Sequence, residues 1–159
     1  MYRNSELTHI GLLAALITVT GAIKIPSLFP GLEFQLSAPI AVAICYAFGF
    51  RTYILAGVLA SVIGLALGTQ NLFNVAVQMQ FRLVVGIVYL FWKRYRWSVI
   101  LAGPLGTFIA RITLSLVVGK AAYALILAAV PGMIFTAICA PLVTNLFIRV
   151  KKNIFLASE

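Results

Sequence analysis

Six apolar runs, separated by short polar or Gly/Pro breaks, divide the chain. The first, Ile10 to Ile23, closes at Lys24 and Pro26, and the segment Lys24 to Gln35, with Pro26, Pro30, Gly31 and Glu33, reads as an ordered loop. A second run, Leu36 to Phe50, turns tightly through Gly49-Phe50-Arg51 into a third, Tyr53 to Leu67. Gly68-Thr69-Gln70-Asn71 breaks the pattern before a fourth run, Leu72 to Trp92, which ends in Lys93-Arg94-Tyr95-Arg96. The fifth, Ser98 to Val118, is closed by Gly119-Lys120; the sixth, Ala121 to Ile148, contains Pro131 and Pro141 and ends at Arg149-Val150-Lys151-Lys152. About 20 apolar residues cross a bilayer as a helix, and about 17 suffice where it thins; the second run is short for a span and is kept as one because losing it would put like-signed basic loops on opposite sides of the membrane. The pattern predicts an all-α integral membrane protein, a compact bundle of six transmembrane helices forming one domain over residues 1–159. No internal repeat of the inverted-transporter kind is visible.

Composition supports this reading. Hydrophobic residues make up 63% of the chain and charged residues 9%, against about 25% charged in soluble domains. The only acids are Glu6, Glu33 and Glu159, none of them inside an apolar run. Proton relays and carboxylate metal sites, which need buried acids, are therefore excluded. His9, Cys45 and Cys139 are too far apart in sequence for a local metal motif, and both cysteines read as small buried hydrophobes and not as a disulfide. Gly119-Lys120 is followed by alanine and lacks the upstream glycine of a phosphate-binding loop, so no ATP hydrolysis is expected of this chain. Acid–base groups are too few for an enzyme. Ile23-Lys24-Ile25-Pro26 is a poor signal-cleavage site, and the first helix is expected to stay on the mature protein.

The net charge of +9 follows the membrane pattern. With both termini cytoplasmic, Arg3, Arg51, Lys93, Arg94, Arg96, Arg149, Lys151 and Lys152 fall inside, Lys24 and Lys120 outside, and Arg82 and Arg111 within spans. Eight cations inside against two outside is a strong positive-inside bias. Trp92 and Trp97 flank the basic loop at the depth of an aromatic belt.

Arg82 and Arg111 carry most of the chemical information. An arginine deep in a span costs about 2.5–3.5 kcal/mol on insertion scales, and no intramembrane acid is available to pair with either. Their partners are backbone carbonyls, lipid phosphate or an anionic ligand, and both are placed to face one cavity open to the outside. Asn71, Asn74, Gln78 and Arg82 recur at i, i+3, i+7 and i+11, one stripe of a helix, with Gln70 and Gln80 nearby. Such a stripe faces a ligand cavity or bonds other helices; amides donate and accept, which suits a polar small molecule. The Pro/Gly loop brings Phe29 and Phe34 to the outer side, either as a lid or as an ordinary interfacial loop, and Lys120 adds positive potential there. Small residues recur at four-residue spacing, Gly11/Ala15 and Ala14/Thr18/Ala22 in the first helix and Ala60/Gly64/Gly68 and Gly57/Ser61 in the third, for close packing within the chain or against another membrane protein.

In its small basic six-span pattern, the Gly11-Leu-Leu-Ala14-Ala15-Leu-Ile-Thr18 helix, the outer loop leading into Phe34-Gln-Leu-Ser37-Ala-Pro39 and the Phe48-Gly49-Phe50-Arg51 turn, the chain resembles the substrate-binding S components of energy-coupling factor (ECF) transporters. The resemblance implies a bundle in a prokaryotic cell membrane that captures a vitamin or similar micronutrient from outside among its last three helices. It implies docking, through small residues of the first helix (Gly11, Ala14, Ala15, Thr18, Ala22), onto a membrane scaffold subunit and two cytoplasmic ATPase subunits. The chain itself would use no cofactor, ATP being consumed by the partners. Two arginines without counter-acids then favour a substrate with a carboxylate or other anionic group. No thiamine, riboflavin or biotin signature is present. The rival readings are a self-contained permease or channel and a non-transport assembly factor or sensor.

Overall fold

In a bilayer, backbone N–H and C=O groups have no water to bond, so each apolar run closes its hydrogen bonds on itself as a helix. The computed structural model describes residues 2–26, 33–119 and 122–156. Among them are six helices, α1 (Tyr2–Ala22), α2 (Ser37–Phe48), α3 (Phe50–Ala66), α4 (Leu72–Trp92), α5 (Trp97–Val118) and α6 (Ala122–Leu156), with two short strands, β1 (Lys24–Pro26) and β2 (Glu33–Gln35). α4 has the bounds its apolar run predicts, and Asn71 explains where it starts: its side chain accepts from the Asn74 N–H at 2.8 Å as an N-cap. α6 runs past Ile148 through the basic cluster, because Lys and Arg propagate a helix well and favour its C-terminal end.

The arms of the first loop are not irregular. They pair as an antiparallel ribbon, Lys24 opposite Gln35 and Pro26 opposite Glu33, which corrects the purely helical expectation. The two strands satisfy one another's backbone groups where the chain leaves its helices.

Three segments, Leu72–Trp92, Trp97–Leu114 and Ala129–Asn153, are long and apolar enough to cross a membrane; Glu6–Ala22, Ser37–Phe48 and Phe50–Ala66 are apolar but shorter. The protein is a helical membrane protein. The shortness of α2 has a structural reason: it packs against all five other helices and occupies the centre of the bundle. Its Pro39, Ala41, Val42, Ala43, Ile44, Cys45 and Ala47 are buried, and its sequence is apolar on every side, as a helix enclosed by protein requires. Leu13, Ala14 and Ile17 of α1, Tyr53, Ala56 and Ala60 of α3, Val85 and Val88 of α4, Ala102 of α5 and Ala140 of α6 complete the core. Cys45 and Cys139 are free thiols.

Gly49 joins α2 to α3 at φ +91°, a conformation that a side chain would disfavour, and its N–H closes α2 onto the Cys45 carbonyl. At the same end of the bundle Lys151 of α6 donates to the Ala47 carbonyl at 3.0 Å, with its ammonium 5.5 Å from the centre of the Phe48 ring. A cation thus satisfies an otherwise orphaned carbonyl of the last turn of α2. Tyr46 and Tyr89 meet edge to face at 5.2 Å nearby. These contacts bring the C-terminal ends of α2, α4 and α6 to the end where α3 and α5 begin, gathering most of the basic residues there.

Candidate functional site

The most distinctive polar feature lies between α3 and α4. Tyr53, Gly57 and Ser61 recur every four residues on one buried stripe of α3. Opposite them, Arg82 emerges from the middle of α4 and is 3% exposed. Its Nη1 donates to the Ser61 hydroxyl at 2.7 Å and, weakly, to Met79 Sδ at 3.7 Å; its Nη2 donates to Gln78 Oε1 at 3.2 Å. Every acceptor is neutral. A buried guanidinium prefers an anion among its partners, and this one is held in place by dipoles alone.

The stem of Arg82 lies directly on Gly57. A Cβ built there would stand 2.6 Å from Nε and 2.7 Å from Cδ, so glycine is what lets the arginine cross α3. One turn beyond Ser61, Gly64 does the same for Gln70, whose Cδ would be 2.9 Å from an added Cβ. The Gln70 Oε1 is buried with no partner among the described residues. The small residues of α3 therefore receive polar side chains as well as permitting close helix packing. Tyr53 is fully buried, and its hydroxyl has no hydrogen-bond partner among the described residues.

The predicted stripe on α4 divides by role. Gln78 is half-buried and engaged with Arg82, whereas Asn71 and Asn74 are exposed and joined in the helix cap. Gln80 is half-buried, but two residues from Arg82 it lies on another face of α4. Asn71→Ala should lower stability by about 1 kcal/mol, the usual worth of an N-cap, and leave ligand affinity unchanged. A detergent melting curve beside a binding titration checks both parts.

Arg111 is half-buried on α5. It makes no hydrogen bond among the described residues, and the bonds of Arg82 run to α3 and its own helix, so the structure does not join the two arginines in one site. Phe29 and Lys120 lie outside the described residues. Phe34 pairs with Ile25 in the ribbon, and its side chain lies outside the described ones.

The small residues of α1 separate in the same way. Ala14 is fully buried in the core, and Thr18 is half-buried with its hydroxyl donating to the Ala14 carbonyl at 2.9 Å. Gly11 has open space where a Cβ would stand, and Ala15 and Ala22 are exposed. The face that is free for another molecule is therefore Gly11/Ala15/Ala22. A separate groove of about 290 Å³ on the exposed face of α6 is lined by Leu142, Asn145, Leu146 and Arg149 and includes no member of the Arg82 cluster. Among the described residues no group of three His, Cys, Asp or Glu side chains could hold a metal ion.

Sequence reasoning reached Arg82 and Gln78 but not Tyr53, Gly57, Ser61 and Met79 as their surroundings. The signal was present in the Gly57/Ser61 spacing. That spacing fits close packing within the chain or against another membrane protein equally well, because spacing alone does not say which neighbouring side chain a notch accepts.

No known family profile matches the chain, and no solved structure matches it. A curated relative does: Protein BioX from Lysinibacillus sphaericus is 43% identical over 149 residues, covering 94% of this chain and 90% of the relative.

Proposed function

The chain belongs to the BioX protein family, and on that premise we propose that it is the substrate-binding membrane subunit of an ECF-type importer. It captures a small carboxylate-bearing vitamin or related nutrient from outside a prokaryotic cell. The observation that carries this reading is Arg82: a guanidinium 3% exposed, bonded only to neutral groups, within a membrane protein. An arginine at that depth costs about 2.5–3.5 kcal/mol, and a carboxylate held by its fork of N–H groups would offset that cost when the ligand is bound.

Without intramembrane acids it has no proton relay, and without a phosphate-binding loop it has no ATP chemistry of its own. The resemblance to ECF S components implies that the energy for release to the cytoplasm comes from partners, a membrane scaffold and two ATPase subunits. The Gly11/Ala15/Ala22 face of α1, half-buried at Gly11 and exposed at Ala15 and Ala22, is small enough for another helix to approach closely. Both termini are cytoplasmic in this reading, which puts the basic end of the bundle on the inner side.

The test is affinity capture of the tagged protein from native membranes in mild detergent, with mass spectrometry of proteins and small molecules. Recovery of two ATPase subunits, a membrane scaffold and a carboxylate metabolite supports the proposal. Recovery of the bundle alone, together with nutrient uptake by the purified protein in liposomes, would replace it with a solitary permease.

A further inference from the structure

The groove on α6 lies apart from the Arg82 cluster and has a chemistry of its own. Leu142, Asn145, Leu146 and Arg149 follow one another at spacings of three, one and three, so all four share one face of the helix. Each is exposed, and all lie within Ala129–Asn153, the part of α6 long and apolar enough to cross a membrane. Leu142 and Leu146 suit acyl chains, which are as apolar as leucine. An amide and a guanidinium on the same face need hydrogen-bond partners, and Asn145 and Arg149 bond to no described residue.

Their place along the helix indicates what supplies those partners. Lys151, two residues after Arg149 and so on another side of α6, donates to the Ala47 carbonyl at the end of the bundle where the basic residues gather. Arg149 therefore stands near the membrane boundary, and Leu142, seven residues earlier, lies about 10 Å deeper. Cationic at the boundary and apolar below it, the groove has the order of headgroup and chain in a phospholipid. No acid of the chain falls between residues 129 and 153 to neutralise Arg149. Lys152, exposed one turn on, adds a second cation that attracts an anionic headgroup and repels the ammonium of a zwitterionic one.

We propose that this face of α6 binds one anionic phospholipid of the phosphatidylglycerol class. Arg149 holds two phosphate oxygens with its planar fork, Asn145 donates its amide to an ester oxygen, and an acyl chain runs along Leu146 and Leu142. The site rests on the membrane character of the chain and is independent of what Arg82 binds.

Native mass spectrometry tests it by reading the lipid retained on full-length protein. Wild type, Arg149→Gln and Arg51→Gln are each released from detergent micelles holding equal amounts of phosphatidylglycerol and phosphatidylcholine. Arg51 is exposed in the first turn of α3 at the same end of the bundle, so its variant loses the same charge outside the groove. Wild type should retain phosphatidylglycerol in preference. Arg149→Gln should lower that preference about tenfold or more, the worth of a charge-assisted hydrogen bond, and Arg51→Gln should lower it far less. Equal losses from the two variants would make the preference a matter of overall charge, and no preference in wild type would leave the groove to any lipid; either result overturns the site. Excess glycerol phosphate, the headgroup without its chains, should not displace the lipid, and displacement would replace the lipid site with one for a free phosphate ester. In phosphatidylcholine alone Arg149→Gln should melt as wild type does, because Arg149 holds no part of the chain; a lower melting temperature would make it a structural residue and overturn the assignment.

Discussion

Arg82→Met should abolish capture of a carboxylate nutrient while making the protein harder to melt. The affinity loss follows from the contacts removed. A guanidinium fork makes two charge-assisted hydrogen bonds to a carboxylate, each worth about 1.5–3 kcal/mol, so the expected weakening exceeds about 100-fold. The stability gain follows from the same burial. Arg82 now lies 3% exposed against Ser61, Gln78 and Met79 without an anion, and methionine fills much of its volume without a charge to desolvate. Isothermal titration and a melting curve on one preparation read both effects. If Arg82 served only to tie α3 to α4, its removal would lower the melting temperature and leave binding intact. Opposite signs for affinity and stability are the mark of a group held at a cost for function.

Gly103→Ala should destabilise the bundle by about 1–3 kcal/mol, although alanine is a better helix former by about 1 kcal/mol. Gly103 of α5 meets α6 and α2 at once: an added Cβ would collide with Cγ2 of Thr136 and come within 3.6 Å of Val42 Cγ2. Thr136 has little freedom to yield, being β-branched, 2% exposed and bonded through its hydroxyl to the Gly132 carbonyl at 2.8 Å. Val42 sits fully buried on the central helix. The neighbour at Gly57, by contrast, is the flexible stem of Arg82, so the two glycines are small for different reasons. A drop in melting temperature for Gly103→Ala, with ligand affinity near wild type in the folded fraction, would establish the α5–α6 crossing as a structural contact. An unchanged or raised melting temperature would show that the helices separate at no cost there.

Both arguments depend on which helix faces which, and that is where sequence and structure part. Six helices and their approximate bounds are legible in the apolar runs, because a chain in lipid must close its hydrogen bonds within each span. The exceptional status of Arg82 is legible too, because a cation inside an apolar run is expensive wherever it points. The cap at Asn71 was less so: the residue stands in the stripe that predicts a ligand face, yet its side chain is bonded to the Asn74 N–H.

What the sequence by itself determined is local: the apolar runs, the charge asymmetry between their ends and the lack of any acid within them. Tertiary structure decided the rest. It turned Ala14 into the core and left Ala15 outside, set Tyr53, Gly57 and Ser61 against Arg82, left Arg111 unjoined to them and paired the two arms of the first loop as strands. The physical reason is that lipid tails are as apolar as leucine, so hydrophobicity does not tell a packed face from a lipid-facing one. The rotation of each helix is fixed by the fit of small residues against larger side chains on its neighbours, and that fit is a property of pairs of helices and of neither sequence alone.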